Sequence, residues 1–397
     1  MRMVVCGASG FVGRQLVPML AQAGVELLLV GRDPGKLRLL FPALAVCGYD
    51  EIGRASRGFD SLLHLAVLNN DAKADDAEFH AVNVTHLLRT VEAARLAGIA
   101  RFVNVSSVHA LDPGDGSAYA RSKRAAAAEL EKVQGIEIST IYLPLVYSTV
   151  WAGSLSFLNG MPPAAARALF SVLKALKPSV HVSVIAAHLL SSEPCEQATI
   201  LSDGQDGNLT YRFVSRTVDL LFCIAVALFL WWLLAATWLL VKLDSPGPGL
   251  FRQVRVGRNR GLFTLLKFRT MAVGTRQAPT HETRAASLTR IGAPLRRWKL
   301  DELPQVWNVL RNEASLVGPR PCLPSQTELI AARERRGVFR LKPGITGLAQ
   351  VNGIDMKDPE LLAEWDQRYA ALQCLLLDLR ILLRTVGRPA RGDRVAG

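Results

Sequence analysis

CGASGFVGRQL, residues 6–16, decides how the first half of this 397-residue chain folds. Gly7, Gly10 and Gly13 fall between a short apolar run that reads as a strand and a longer periodic run that reads as a helix. In such a turn, backbone amides and the helix N-terminus can hold a pyrophosphate. The turn is the first of the chain, so the spacing points to dinucleotide binding rather than to a tight turn alone. Outward from it, apolar runs at 25–30, 61–66 and 102–105 alternate with helical patterns to about Thr149. That alternation predicts an α/β fold built on a Rossmann-type parallel sheet. Arg32 stands at the end of the second strand, where an acidic residue would grip the ribose 2′-hydroxyl. This favours NADP over NAD, with the adjacent Asp33 arguing the other way.

Half of the residues are hydrophobic, enough for two cores of ordinary size and incompatible with a disordered chain. The net charge is +13, yet the first 214 residues carry as many acidic as basic side chains, so the whole excess lies downstream. A basic half can meet nucleic acid, anionic lipid or phosphorylated substrates. No aromatic-basic platform for nucleic acid is present. The six cysteines form no C-x-x-C pair and have no histidine at zinc-ligand spacing, which fits a reduced compartment. The opening MRMVVCGASG has no secretory pattern, so the N-terminus is expected to stay cytoplasmic.

VDLLFCIAVALFLWWLLAATWLLV, residues 218–241, reads as one apolar stretch without a polar face. As a straight helix it extends about 36 Å, against a hydrocarbon core of roughly 30 Å. Arg212 and Arg216 precede it and Arg252, Arg255, Arg258, Arg260 and Lys267 follow, so both flanks look cytoplasmic by charge. A re-entrant helix satisfies both flanks. The predicted organisation is a dinucleotide-binding domain at 1–212, a membrane-inserted helix at 213–244, a small mainly helical domain at 245–387 and a disordered tail at 388–397. An Ala-rich helix near 162–176 and a short strand near 180–184 close the first domain.

Further residues of the first half carry a resemblance. Asp50, the HLA run ending at Ala66, and Ser106 with Ser107 precede Tyr119 and Lys123, a Y-x-x-x-K pair. Alone, that pair on an Ala-rich helix is a chance surface feature; after a glycine turn and a strand-end serine it is not. Residues 3–200 resemble the short-chain dehydrogenase/reductase superfamily, particularly nucleotide-sugar epimerases and reductases. The resemblance implies that Asp50 and Ala66 contact the cofactor, Ser107 orients the substrate and Tyr119 exchanges a proton with it. One helical turn apart, the Lys123 ammonium is expected to lower the Tyr119 phenol and to hold the nicotinamide ribose. The substrate lobe usual in the nucleotide-sugar members is larger than the space before residue 213.

In the second half, SRTVD at 215–219, SPGPGLFRQVRVGRNRGLFTLLKFRTM at 245–271, LTRIGAPLRRWKLDELPQVWNVLRNEASLVGPRP at 288–321 and KPGITGLAQVNG at 342–353 follow in order, trailed by Asp366, Tyr369 and Asp378. This series resembles the bacterial monotopic polyprenyl-phosphate phosphoglycosyl transferases. The resemblance implies that Asp301 is the nucleophile and that Glu302 coordinates Mg²⁺ or activates the acceptor, the pair forming the metal site. Lys267, Arg269, Arg296 and Arg320 are then candidate phosphate clamps, with Asp366 also at the substrate. Trp231 and Trp232 stand where that family has a helix-kinking Ser-Pro pair, so no local cause for a kink is legible.

Together these readings predict an enzyme on the cytoplasmic face of a bacterial inner membrane. Its transferase domain would load a sugar 1-phosphate from a UDP-sugar onto polyprenyl (undecaprenyl) phosphate, and its first domain would reduce or epimerise the nucleotide-sugar. The expected cofactors are Mg²⁺ and NADP (or NAD); the expected partners are the two substrates and the membrane, with a homodimer compatible and no nucleic acid. An alternative keeps the transferase and makes the first domain a catalytically inactive cofactor sensor.

Overall fold

The computed structural model describes residues 1–151, 153–191, 197–275 and 288–386. The tail expected to be disordered lies outside the described residues. The chain divides into two compact units, Met1–Ala168 with Pro178–Asp203, and Leu169–Lys177 with the chain from Gly204 onward.

In the first unit, β1 (Arg2–Cys6), β2 (Glu26–Val30), β3 (Ala45–Cys47), β4 (Ser61–His64), β5 (Arg101–Ser107) and β6 (Glu137–Leu143) enter one sheet. β7 (Leu145–Tyr147) and β8 (Ser179–His181) pair with each other, and β9 (Ala198–Ile200) closes the main sheet, whose order is β3-β2-β1-β4-β5-β6-β9. Every pairing in that sheet is parallel. Both faces are covered, as the short unbroken apolar runs require. Val5, Leu29, Leu63 and Ile141 pack on one side with Leu16 and Ile185, and Val4, Leu28, Leu62 and Phe102 on the other with Val91 and Ala126. The strand order reverses between β1 and β4, which opens a crevice at their C-terminal ends. The strand expected near 180–184 ends at His181, whose side chain caps the helix Val182–Leu190.

The second unit opens with the helix Leu209–Phe229, bent by 70° against Trp231–Asp244. No single helix among the described residues is long and apolar enough to cross a membrane; this bent pair passes together by length and composition. The break has a local cause without proline. Leu230 leaves helical geometry (φ −119°, ψ 7°), and the Trp232 indole donates to the Phe229 carbonyl at 2.9 Å, satisfying an acceptor at the helix end. The stretch expected to lack a polar face contains Asp219, which is buried and accepts from Leu316 N at 2.9 Å and Ser315 Oγ at 3.1 Å. Arg216 is likewise not a free flanking charge: it donates to the Val309 and Leu310 carbonyls at the end of the helix Val306–Leu310.

After the bent pair, β10 (Leu250–Val256) and β11 (Leu262–Phe268) form an antiparallel hairpin, and β12 (Ser315–Val317) pairs in parallel with β13 (Gly344–Thr346). The strands β12 and β13 run so close that a Cβ on Gly344 would meet Gly318 N at 2.1 Å. Helices Thr327–Arg335, Pro359–Leu372 and Leu375–Val386 complete the unit. Asp378 on the last helix accepts from Tyr211 and Tyr369 at 2.6 and 2.8 Å, tying it to the start of the bent pair.

Candidate active sites

Asp301 and Glu302 lie on a 3-10 turn, Leu300–Gln305, entered through Lys299 in the left-handed region (φ 56°). A non-glycine residue there carries backbone strain, a feature that concentrates at functional sites. Both carboxylates belong to buried residues, 7% and 9% exposed. Glu302 Oε1 accepts from Lys267 Nζ at 2.7 Å, and Arg320 Nη2 stands 3.6 Å from the same oxygen. Lys267 comes from β11 and Arg320 from the loop after β12, so residues far apart in sequence converge on one carboxylate. Gln305, Arg255, Pro321, Gly344 and Ile345 line the same pocket.

Two residues expected to bind substrate are engaged by the protein's own groups. Arg269 is buried and donates to the carbonyls of Val241, Ser245 and Pro246, capping the end of the second bent helix. Asp366 pairs in the interior with Arg333, which also donates to the Arg320 carbonyl. Burial pushes the Asp366 carboxyl up despite the partly offsetting guanidinium. Arg296 donates through Nε to Thr270 Oγ1 at 3.0 Å, and its buried Nη1 has no partner among the described residues.

In the first unit, Gly7 has φ +84°, and a Cβ there would meet Ala66 N at 2.6 Å across the crevice. Gly10 is the N-cap of the helix Phe11–Gln22, and no side chain occupies the cap. A Cβ on Gly13 would meet the Ala8 backbone at 2.6 Å, so its absence lets the helix pack on the turn. The glycine cradle therefore fits a pyrophosphate against helix amides. Arg32 is exposed, while the Asp33 carboxylate caps the helix Pro34–Leu40 by accepting Lys36 N. Asp50 is exposed on the turn Tyr49–Glu51.

Ser107 ends β5 and hydrogen-bonds Tyr119, while Lys123 Nζ lies 5.9 Å from the Tyr119 ring centre. The expected electrostatics are reversed. Burial raises the Tyr119 phenol, with only the Ser107 hydrogen bond offsetting it, and burial pushes Lys123 itself down to about 7. With Lys123 losing its proton near neutrality, burial rather than a lysine cation sets the phenol.

Residues 210–392 match the model of the family described as bacterial sugar transferase, and residues 3–169 match that of the NAD dependent epimerase/dehydratase family. A 146-residue stretch is 40% identical to an uncharacterized sugar transferase of Bacillus subtilis, covering 37% of this chain and 72% of that protein. The chain belongs to the bacterial sugar transferase family. It is also 42% identical over 168 residues to the UDP-glucose:undecaprenyl-phosphate glucose-1-phosphate transferase of Caulobacter vibrioides, covering 39% of this chain and 60% of that one. The UDP-glucose 4-epimerase of Thermotoga maritima, a solved structure, overlaps 51% of this chain and 77% of its own with a TM-score of 0.41 at 17% identity.

The structure adds members to both sites of this sugar transferase relative. Arg255 donates to Gln253 Oε1 and to the Pro321 carbonyl, bracing the loop that carries Arg320. Its alternation with Gln253 on a strand was the available signal. Asn83, buried in a π-helical turn at Ala81–His86, accepts from Leu68 N and donates to Ser122 Oγ on the Tyr119 helix. The buried lysine sets a pH test. Folded Lys123 loses its proton near pH 7 and the unfolded residue near 10.5, so below pH 7 wild type bears the full cost of burying the charge. Lys123→Met is therefore expected to be more stable than wild type at pH 6, by a margin that shrinks about 1 kcal/mol per pH unit from pH 7 to 9. Urea unfolding followed by circular dichroism reads it; a margin independent of pH contradicts the burial argument.

Proposed function

We propose that the second unit transfers a sugar 1-phosphate from a UDP-sugar to polyprenyl phosphate in two displacements at one phosphorus. An Asp301 carboxylate oxygen attacks the sugar-bearing phosphorus, the bond to the UMP oxygen breaks, and UMP leaves with that electron pair. An oxygen of polyprenyl phosphate then attacks the same phosphorus and displaces Asp301. Lys267, Arg296 and Arg320 offset charge on the phosphoryl oxygens. The observation that carries this reading is the buried Asp301–Glu302 pair with Lys267 and Arg320 converging on Glu302. Two adjacent carboxylates are the usual protein share of a magnesium site that substrate phosphates and water complete. Asp301 and Glu302 would hold that ion, which supplies charge neutralisation at the pyrophosphate.

Full-length protein in detergent, given undecaprenyl phosphate, Mg²⁺ and a panel of UDP-sugars, is expected to release UMP with at least one sugar. Asp301→Asn should lower that rate by about a thousandfold or more and Glu302→Gln by about a hundredfold. Undiminished turnover by Asp301→Asn contradicts the assignment.

The bent helix pair is the membrane element in this proposal, re-entrant from the cytoplasmic face of the inner membrane. Leu221, Ile224, Leu228, Phe229, Trp231 and Leu243 are exposed along it, the side chains that would meet lipid. UDP-sugars are cytoplasmic, so both units work on the same side. Single cysteines at Ser202 and Val386, in a chain whose six native cysteines are replaced, should both resist an impermeant reagent on intact cells. Labelling of either from outside shows that the segment crosses.

The first unit binds a dinucleotide at Gly7, Gly10 and Gly13 and finishes the nucleotide-sugar that the second consumes. The bound cofactor supplies a hydride acceptor or donor. Tyr119 exchanges a proton with a sugar hydroxyl or carbonyl, Ser107 orients that oxygen, and Lys123 holds the nicotinamide ribose. The proposed substrate is a UDP-linked 4-keto-6-deoxy N-acetylhexosamine. With Asp33 engaged as a helix cap, Arg32 is the 2′-phosphate partner. The protein should bind NADPH more tightly than NADH, and Arg32→Ala should bring the two affinities together. Equal binding by wild type, or none, contradicts this half.

A further inference from the structure

Beside Tyr119 lies an imidazole that the proton transfer described above does not use. His109 Nδ1 stands 2.7 Å from Asp115 Oδ2, and the ring meets the Tyr119 ring edge-to-face, centres 6.0 Å apart at 72°. The His109 backbone N–H donates to Ser107 Oγ, so imidazole, phenol and serine share one corner of the crevice. This corner is built rather than adventitious. Asp115 Oδ1 accepts from Ser117 N, and Ser117 caps the helix Ala118–Leu130 that carries Tyr119. Arg124 on that helix donates to the Asp112 and Asp115 carbonyls and pins the loop. Burial raises the Asp115 carboxyl, but the hydrogen bonds from Ser117 and His109 outweigh it and hold it near about 2. A carboxylate on Nδ1 favours the tautomer that leaves Nε2 as the proton-accepting nitrogen. The His109 side chain is half exposed, open to an entering ligand beside the less exposed Tyr119.

We propose that His109 is a second acid–base residue of this site and that the site takes keto-sugars activated at the carbon next to the carbonyl. Interconverting an alcohol and a ketone needs one proton carrier, which Tyr119 supplies; a second carrier beside it serves a second proton. The C–H bond next to the carbonyl breaks, its proton goes to His109 Nε2, and its electron pair forms the enolate double bond while the carbonyl π pair moves onto oxygen. Tyr119 and Ser107 hydrogen-bond that oxygen. Return of the proton to the same face regenerates the substrate; protonation of the opposite face by water inverts the carbon, and the hydroxide left behind takes the proton from His109 Nε2 to restore water and imidazole, so no oxidant or reductant is consumed.

This inference rests on reading the first unit as a nucleotide-sugar enzyme. Full-length protein in detergent is mixed in D₂O with UDP-4-keto-6-deoxy-N-acetylglucosamine; proton NMR follows exchange beside the ketone, and calorimetry measures binding. Wild type should exchange that position well above the enzyme-free rate. His109→Gln should be at least about tenfold slower with binding retained, and Asp115→Asn should also slow it while keeping the imidazole. Wild type that binds the keto-sugar without accelerating exchange, or His109→Gln that exchanges at the wild-type rate, overturns the proposal alone. Failure of wild type to bind the keto-sugar overturns the nucleotide-sugar reading as well.

Discussion

Glu302 is a carboxylate withdrawn from water, and the ion pair with Lys267 is what makes that withdrawal tolerable. Removing one partner of a buried pair costs on the order of 3–5 kcal/mol, because an uncompensated charge remains. The second unit is organised so that this does not happen. The hairpin β10–β11 delivers Lys267, and the loop after β12 delivers Arg320. Arg255 and Arg333 grip the backbone of that loop at Pro321 and Arg320, and Asp366 neutralises Arg333 from behind. β12 and β13 can lie close enough to carry the loop only because residues 318 and 344 are glycines. Asp301, one residue before Glu302, is thereby held buried beside a cationic pocket.

The bent helix pair is coupled to the same framework. Asp219 reaches from its first helix to the start of β12, and Arg216 reaches to the end of the helix that follows the 3-10 turn of the carboxylates. The element proposed to meet lipid and the strands that carry Arg320 thus share buried hydrogen bonds, each costly to leave unmade.

Local patterns were legible wherever a short segment determines its own chemistry. The glycine turn, the alternation of strands and helices, the Tyr119–Lys123 spacing and the Asp301–Glu302 pair within its ordered blocks are of this kind. What could not be read depends on where a side chain points across long separations. Arg269 and Asp366 have residue types that suit a substrate, and only the structure shows their partners at 241–246 and 333. Lys123 was expected to carry full charge, but the sequence does not display the burial that brings its proton loss down to about 7. The helix break at Leu230 has no proline to announce it, since its support is an indole three residues beyond the carbonyl it satisfies. Arg255, counted as flanking charge, proves to brace the pocket.

The central claim is that Asp301 becomes covalently attached to the phosphosugar. Full-length protein is incubated with Mg²⁺ and the UDP-sugar that supports UMP release, polyprenyl phosphate is omitted, and the chain is rapidly quenched, digested and weighed by mass spectrometry. The account predicts a sugar-phosphate adduct on the peptide containing Asp301, discharged when polyprenyl phosphate is added and absent from Asp301→Asn. An adduct on another residue, or none while UMP release still requires both substrates together, would contradict it.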